Sequence, residues 1–123
     1  MRILVADDSD TLFALMNEIL TAEGHEVDLA RTGTEAWQKL SASTYDAIFC
    51  DVVLPGLDGV SLYRRVVNLR PEIVSRFVLM SRRTEHVRRF AEATGAAFLA
   101  KPFQVGELLA CVDRCDQHLR SGV

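Results

Sequence analysis

The chain has no apolar run approaching the roughly 20 residues that a membrane span requires. It has only three cysteines, Cys50, Cys111 and Cys115. An odd number, in a chain expected to lack a secretory leader, argues against a disulfide framework. Cys50 lies within an apolar run and reads as a small buried hydrophobe. Cys111 and Cys115 stand four apart on a helical pattern; two thiols alone are half a zinc site, so they read as structural. There are no internal repeats, low-complexity segments or linker-like stretches, which excludes solenoid and disordered architectures. The first apolar run begins at Ile3, so no signal peptide is expected ahead of it; the expected location is the cytoplasm, with no membrane contact. At 123 residues, the chain fits one domain with a core that needs no staples.

The formal charge is −3, unevenly spread. Residues 1–60 hold three cations against eleven acids, and residues 61–123 hold eleven cations against six acids. Such asymmetry can mark a nucleic-acid-binding segment. Here the cations fall on helical patterns with acids interspersed. That favours solvated helix faces or a protein-docking face, and no direct nucleic-acid contact is expected.

Apolar runs and helical patterns alternate about five times. Residues 2–6, 27–30, 46–51, 77–81 and 97–100 read as strands. Most lack polar alternation, as in a parallel sheet covered on both faces. Helices are expected over 10–22, from the capping-box sequence Thr32-Gly33-Thr34-Glu35 to Leu40, over 60–69, over 85–94 and over 104–119. Right-handed crossovers between five parallel strands give a doubly wound α/β fold, a (βα)5 unit with strand order 2-1-3-4-5. The domain is expected over residues 1–119, with 120–123 a tail or the start of a linker.

Four features sit where strands end: Asp7-Asp8, Asp51, Ser81 and Lys101-Pro102. In a parallel sheet these ends share one edge, where ligands bind. Acids are favoured at a helix N-terminus, which alone would account for Asp7-Asp8. Asp51 is different, because a carboxylate ending an apolar strand is costly without a partner. Three clustered carboxylates must take up protons or bind a cation, and oxygen ligands with retained waters suit Mg²⁺. One carboxylate could then attack phosphorus, with Lys101 a compact positive charge beside it. Ser81 could donate its hydroxyl to a phosphoryl oxygen, although strand-end serines also serve as caps. Pro102 is a candidate for a cis peptide bond with Lys101.

The full set resembles the receiver domain of two-component response regulators, the CheY-like family. The matching pieces are Ile3-Leu4-Val5-Ala6-Asp7-Asp8, Asp51 through Gly59, Leu79-Met80-Ser81 and Ala100-Lys101-Pro102-Phe103. Each is weak alone; in this order and spacing they are specific and span essentially the whole chain. The resemblance implies that Asp51 accepts a phosphoryl group from a histidine kinase or a His phosphotransfer protein. It implies that Asp8, Asp51 and the Val53 backbone carbonyl ligate Mg²⁺, with Asp7 acting through water. Lys101 and Ser81 would contact the phosphoryl group, and Phe98 would turn inward once Ser81 moves. That would remodel the surface of the fourth helix, fifth strand and fifth helix, used by an output domain, a downstream protein or a second copy. The family does not turn over an external substrate; it catalyses only its own phosphoryl transfer and dephosphorylation.

Three departures stand out. Arg82 replaces the small residue usual after Ser81, and is expected to alter the lifetime of the phosphorylated state. Val53 stands where a polar side chain could position attacking water, suggesting slower hydrolysis. Phe98 lacks the hydroxyl of a tyrosine switch. Arg82, Arg83, Arg88 and Arg89 make the fourth helix region basic, suited to an acidic partner or to solvent. Among rival readings, an aspartate-nucleophile phosphatase would want a second Asp where Val53 stands. An FMN binder would want a Gly- and hydroxyl-rich loop after the first strand, where Asp7-Asp8 would repel its phosphate. A phosphorylation-independent docking or dimerisation module is the remaining alternative.

Overall fold

The computed structural model describes residues 1–82 and 84–121. Five strands form one parallel sheet: β1 (Arg2–Ala6), β2 (Glu26–Ala30), β3 (Ala47–Asp51), β4 (Phe77–Arg82) and β5 (Ala97–Lys101). Their order is β2-β1-β3-β4-β5, as the sequence predicts. The helices are α1 (Asp10–Ala22), α2 (Gly33–Ala42), α3 (Gly59–Leu69), α4 (Glu85–Thr94) and α5 (Val105–Arg120). The register pairs Val5 with Phe49, Cys50 with Leu79 and Ser81 with Ala100.

Period-2 alternation along the strands sorts the core into two layers. Ile3, Val5, Phe49, Val78, Met80 and Leu99 face α1 and α5, packing with Met16, Leu20, Leu108 and Val112. Leu4, Ala6, Ile48, Cys50, Phe77 and Leu79 face the other way, against Ala36 and Leu40 of α2 and Leu62, Tyr63 and Val66 of α3. Both faces of the sheet are therefore apolar, which explains the unbroken strand runs.

The expected helix starts carry their caps. Ser9, Thr32, Asp58 and Thr84 each accept a backbone N–H of the first turn, from Leu12, Glu35, Ser61 and Val87 respectively. Gly24 and Gly95 follow α1 and α4 with φ of +89° and +75°, conformations that favour glycine. One element was not anticipated. Pro71–Arg76 forms a 3-10 turn between α3 and β4, with Pro71 fixing its first position. Helix α5 runs through Arg120, into the stretch expected to be a tail. Arg83, Gly122 and Val123 lie outside the described residues.

Candidate functional site

The carboxyl ends of β1, β3 and β5 bring Asp7, Asp51 and Lys101 together. The Lys101 Nζ lies 2.6 Å from Asp7 Oδ2 and 2.6 Å from Asp51 Oδ2. The alternation that sorts the core accounts for this meeting. Asp7, Asp51 and Lys101 continue the residue parity of Val5, Phe49 and Leu99, all in the layer beneath α1 and α5. The remaining carboxylate oxygens are held by the backbone. Asp7 Oδ1 accepts the Ser9 N–H at 2.8 Å, and Asp51 Oδ1 accepts the Val53 N–H at 2.9 Å.

Asp7 and Asp51 are buried, at 1% and 9% exposure. One ammonium faces two carboxylates, so one negative charge remains uncompensated. Burial pushes the Asp51 carboxyl above its usual range, partly opposed by its hydrogen bonds from Lys101 and Val53. Burial would lower the Lys101 ammonium, but the hydrogen bonds to Asp51 and Asp7 outweigh it and raise the group.

The other predicted site residues stand nearby in different roles. Asp8 is exposed, outside the Lys101 cluster. Val53 is 74% exposed, an apolar side chain in solvent beside Asp51. Ser81 is buried, and its hydroxyl donates to its neighbour's carbonyl, Arg82 O, at 2.7 Å. Phe98 pairs in register with Leu79 and packs, partly buried, in the layer facing α2 to α4. Ser81 shares the parity of Phe77 and Leu79, so the candidate switch pair lies on the side of the sheet opposite to the Lys101 cluster. The Arg82 side chain is exposed, and in register Arg82 pairs with Lys101. The Lys101–Pro102 peptide bond is cis.

Sequence reasoning missed Gly59. A Cβ there would meet Asp51 O at 2.3 Å and Val52 Cα at 2.7 Å, so glycine lets α3 start against the backbone of the candidate acceptor. In the sequence Gly59 stands only as the last residue of the stretch, Asp51 through Gly59, that resembles the family, with no role of its own. Sequence reasoning also missed Arg31, which follows β2 and forms an ion pair with Asp10 in the first turn of α1.

Asp7, Asp8 and Asp51 offer carboxylate oxygens only, a donor set for a hard cation. The Lys101 ammonium already lies between two of them, so the pair accepts positive charge. Among the described residues, no three His, Cys, Asp or Glu side chains are gathered into a ready cage. That includes Cys111, Cys115 and His118 of α5, which share helical spacing. Cys50 and Cys115 are buried; burial raises both thiols, Cys115 to about 11, as structural cysteines require. No described helix is long and apolar enough to cross a membrane.

Comparison with known proteins shows the family to which the chain belongs. Residues 3–113 match the family model described as the response regulator receiver domain. The chain is 36% identical over 112 residues to the transcriptional regulatory protein TcrA of Mycobacterium tuberculosis, covering 89% of the chain and 44% of that protein. It is 38% identical over 114 residues to the phosphate regulon transcriptional regulatory protein PhoB of Rhizobium meliloti, covering 90% and 50%. The chain thus spans half or less of these relatives. Among solved structures, the response regulator TrrA of Thermotoga maritima, in complex with Mg²⁺-BeF, superimposes with a TM-score of 0.82 at 29% identity, covering 93% of this chain and 97% of that one. The chemotaxis protein CheY4 of Vibrio cholerae gives 0.81 at 27%, covering 93% and 97%. The doubly wound sheet, the acidic edge and these matches together make the chain a member of the response regulator receiver family.

Proposed function

We propose that this receiver domain accepts a phosphoryl group on Asp51 from a phosphohistidine donor, a histidine kinase or His phosphotransfer protein, in a Mg²⁺-dependent reaction. The observation that carries the reading is Lys101 bridging Asp7 and Asp51 at the sheet edge, a cation already committed to the acceptor. An Asp51 carboxylate oxygen forms the new P–O bond while the P–N bond to the donor imidazole breaks. The electron pair goes to that nitrogen, which takes a proton from solvent. Hydrolysis reverses the assignment: water attacks phosphorus, and the Asp51 carboxylate departs.

Asp8, Asp51 and the Val53 carbonyl would hold Mg²⁺, with Asp7 acting through a water. When bound, Mg²⁺ supplies neutralisation of charge on the phosphoryl oxygens. Lys101 orients the acceptor in the resting state and turns to the phosphoryl oxygens afterwards. Phosphorylation adds about −1.5 to −2 charge and three acceptor oxygens. These compete with the Arg82 carbonyl for the Ser81 hydroxyl, and Phe98, on the same side, follows it inward. The equilibrium moves only as far as these differential contacts allow. The altered surface is α4, β5 and α5, offered to an output domain, a downstream protein or a second copy. The domain extends through Arg120, the last residue of α5, in a cytoplasmic pathway; its chemistry is confined to its own phosphorylation and dephosphorylation.

The test is intact-mass spectrometry after incubation with acetyl phosphate and Mg²⁺, with Asp51→Asn in parallel. Gain of one phosphoryl group by the parent alone supports the reading. No gain by either, with a kinase also failing, leaves a phosphorylation-independent docking module.

A further inference from the structure

A groove of about 570 Å³ runs between α3 and α4, lined by Tyr63, Arg64, Val67, Val74, Phe90 and Thr94 among others. Val74 and Thr94 precede β4 and β5, so it opens toward the amino edge of the sheet, away from Asp51. Its floor is apolar. The Tyr63 ring meets Phe90 edge-on at 5.8 Å and Phe77 at 5.5 Å, and Val67 is 41% exposed.

Its charge has one sign. No acid lines the groove, and α3, with sequence GVSLYRRVVNL, contains two arginines and no acid. Arg64 lies over the Phe90 ring at 5.5 Å, and Arg65 over the Trp37 ring at 5.4 Å. Neither has an ion pair among the described residues, whereas Arg88 and Arg89 of α4 are held by Glu85 and Glu92. A guanidinium stacked on a ring keeps its edge N–H groups free for a carboxylate.

We infer that this groove docks an acidic amphipathic helix of a partner protein. Apolar side chains at i, i+3, i+4 and i+7 would enter between α3 and α4, with a flanking Asp or Glu on Arg64, the arginine that lines the groove. Charge complementarity selects this occupant. A second copy fits less well, since its acidic excess lies in residues 1–60; that contact would be head-to-tail and would not close into a dimer. The inference does not depend on phosphorylation of Asp51.

The probe is a short fluorescein-labelled helical peptide with leucines at those spacings and glutamates elsewhere, titrated by anisotropy at low and high salt. Controls are a peptide with scrambled leucine spacing and one with lysine for glutamate. Saturable, salt-sensitive binding is expected for the acidic amphipathic peptide alone. It should weaken by about tenfold or more in Arg64→Glu and in Val67→Glu, both exposed positions, with Arg64→Gln as the milder check and circular dichroism verifying the fold. Equal binding of either control peptide, no binding, or affinities unmoved by the variants would overturn the inference. So would sedimentation showing that the chain self-associates and that Arg64→Glu abolishes this.

Discussion

The Lys101 ammonium and the Asp51 carboxylate lie 2.6 Å apart across fifty residues of sequence, and the same ammonium holds Asp7 at 2.6 Å. The cluster carries one more acid than base, so its members contribute to stability with opposite signs. Asp51, raised by burial above its ordinary 3.8, contributes stability fully present below that value and lost as pH rises through its folded value. Asp51→Asn is therefore expected to be more stable than the parent at pH 7, the gain shrinking toward pH 4. Lys101→Met leaves two adjacent carboxylates without a cation. It should cost roughly 3 kcal/mol, the low end for a broken buried pair because Lys101 is 17% exposed. Urea unfolding at both pH values measures each. An Asp51→Asn protein no more stable than the parent at pH 7 would mean that the excess charge is already compensated.

Asp8 separates folding from metal binding. It is exposed, outside the Lys101 cluster, so Asp8→Asn should leave the Mg²⁺-free melting temperature nearly unchanged. If Asp8 is a direct ligand, the same variant should weaken Mg²⁺ about tenfold or more and remove most of the rise in melting temperature that Mg²⁺ produces. Isothermal titration and thermal melts read the two quantities separately. A parent-like Mg²⁺ affinity in the variant would remove Asp8 from the ligand set.

What was legible in the sequence follows from period and position. Unbroken runs such as Ile3 to Ala6 and Ala47 to Cys50, split by helical patterns, read as strands covered twice, and that layering decides which strand-end side chains meet. Asp7, Asp8, Asp51 and Lys101 are therefore expected as a set, of which the structure joins Asp7, Asp51 and Lys101 and leaves Asp8 exposed outside the cluster. The 3-10 turn at Pro71–Arg76 was not found, because Pro71 reads equally as a stop signal and as a first-turn proline. Two features of the site were also illegible. The Ser81 hydroxyl rests on the Arg82 carbonyl, a choice among local acceptors that spacing does not encode. The closeness of Gly59 to the Asp51 backbone is a tertiary approach that a loop signature cannot express.

That approach is itself testable. Gly59→Ala would put a methyl 2.3 Å from the Asp51 carbonyl oxygen, with backbone rather than a flexible side chain as the neighbour. Either α3 or the β3 end must move, at a cost of about 1–3 kcal/mol. Because the displaced segment carries Asp51, phosphorylation by acetyl phosphate should fall more than stability does. Gly106, whose added Cβ meets nothing within 4 Å, is the control. Gly106→Ala should keep the phosphorylation rate.

Away from the site, Tyr45 donates its hydroxyl to Asp28 Oδ2 at 2.7 Å, and Arg2 donates to the same oxygen at 3.0 Å. Burial first, and then the Asp28 contact, push the Tyr45 hydroxyl up to about 12, so its contribution holds below 10.0 and is lost as pH rises through 12. The Tyr45 hydrogen bond, aided by Arg2, draws Asp28 below 3.8 against the effect of burial; that contribution holds above 3.8 and is lost as pH falls through the lower folded value. Tyr45→Phe should cost about 1 kcal/mol on the plateau between these limits, with the difference from the parent narrowing at both ends. Denaturant midpoints across pH give the profile. A difference constant with pH would assign the cost to packing alone.

Arg82 bears on how long the signal lasts. Its backbone carbonyl holds the Ser81 hydroxyl at 2.7 Å, its register partner is Lys101, and its own guanidinium is exposed at the sheet edge. A phosphoryl group on Asp51 would add negative charge to a cluster already one charge in excess, at the same sheet edge as the exposed Arg82 on the neighbouring strand. Arg82 should slow loss of that group by pairing with its oxygens and covering the path of water. Arg82→Ala is then expected to shorten the half-life several-fold, and Arg82→Lys to restore only part of it, since a lysine gives up the forked geometry. Because the backbone carbonyl stays in place, the resting Ser81 contact and the melting temperature should hardly change. Phosphate release after removal of acetyl phosphate, followed in all three proteins, decides the matter. Identical decay in the parent and in Arg82→Ala would leave the guanidinium no part in the lifetime.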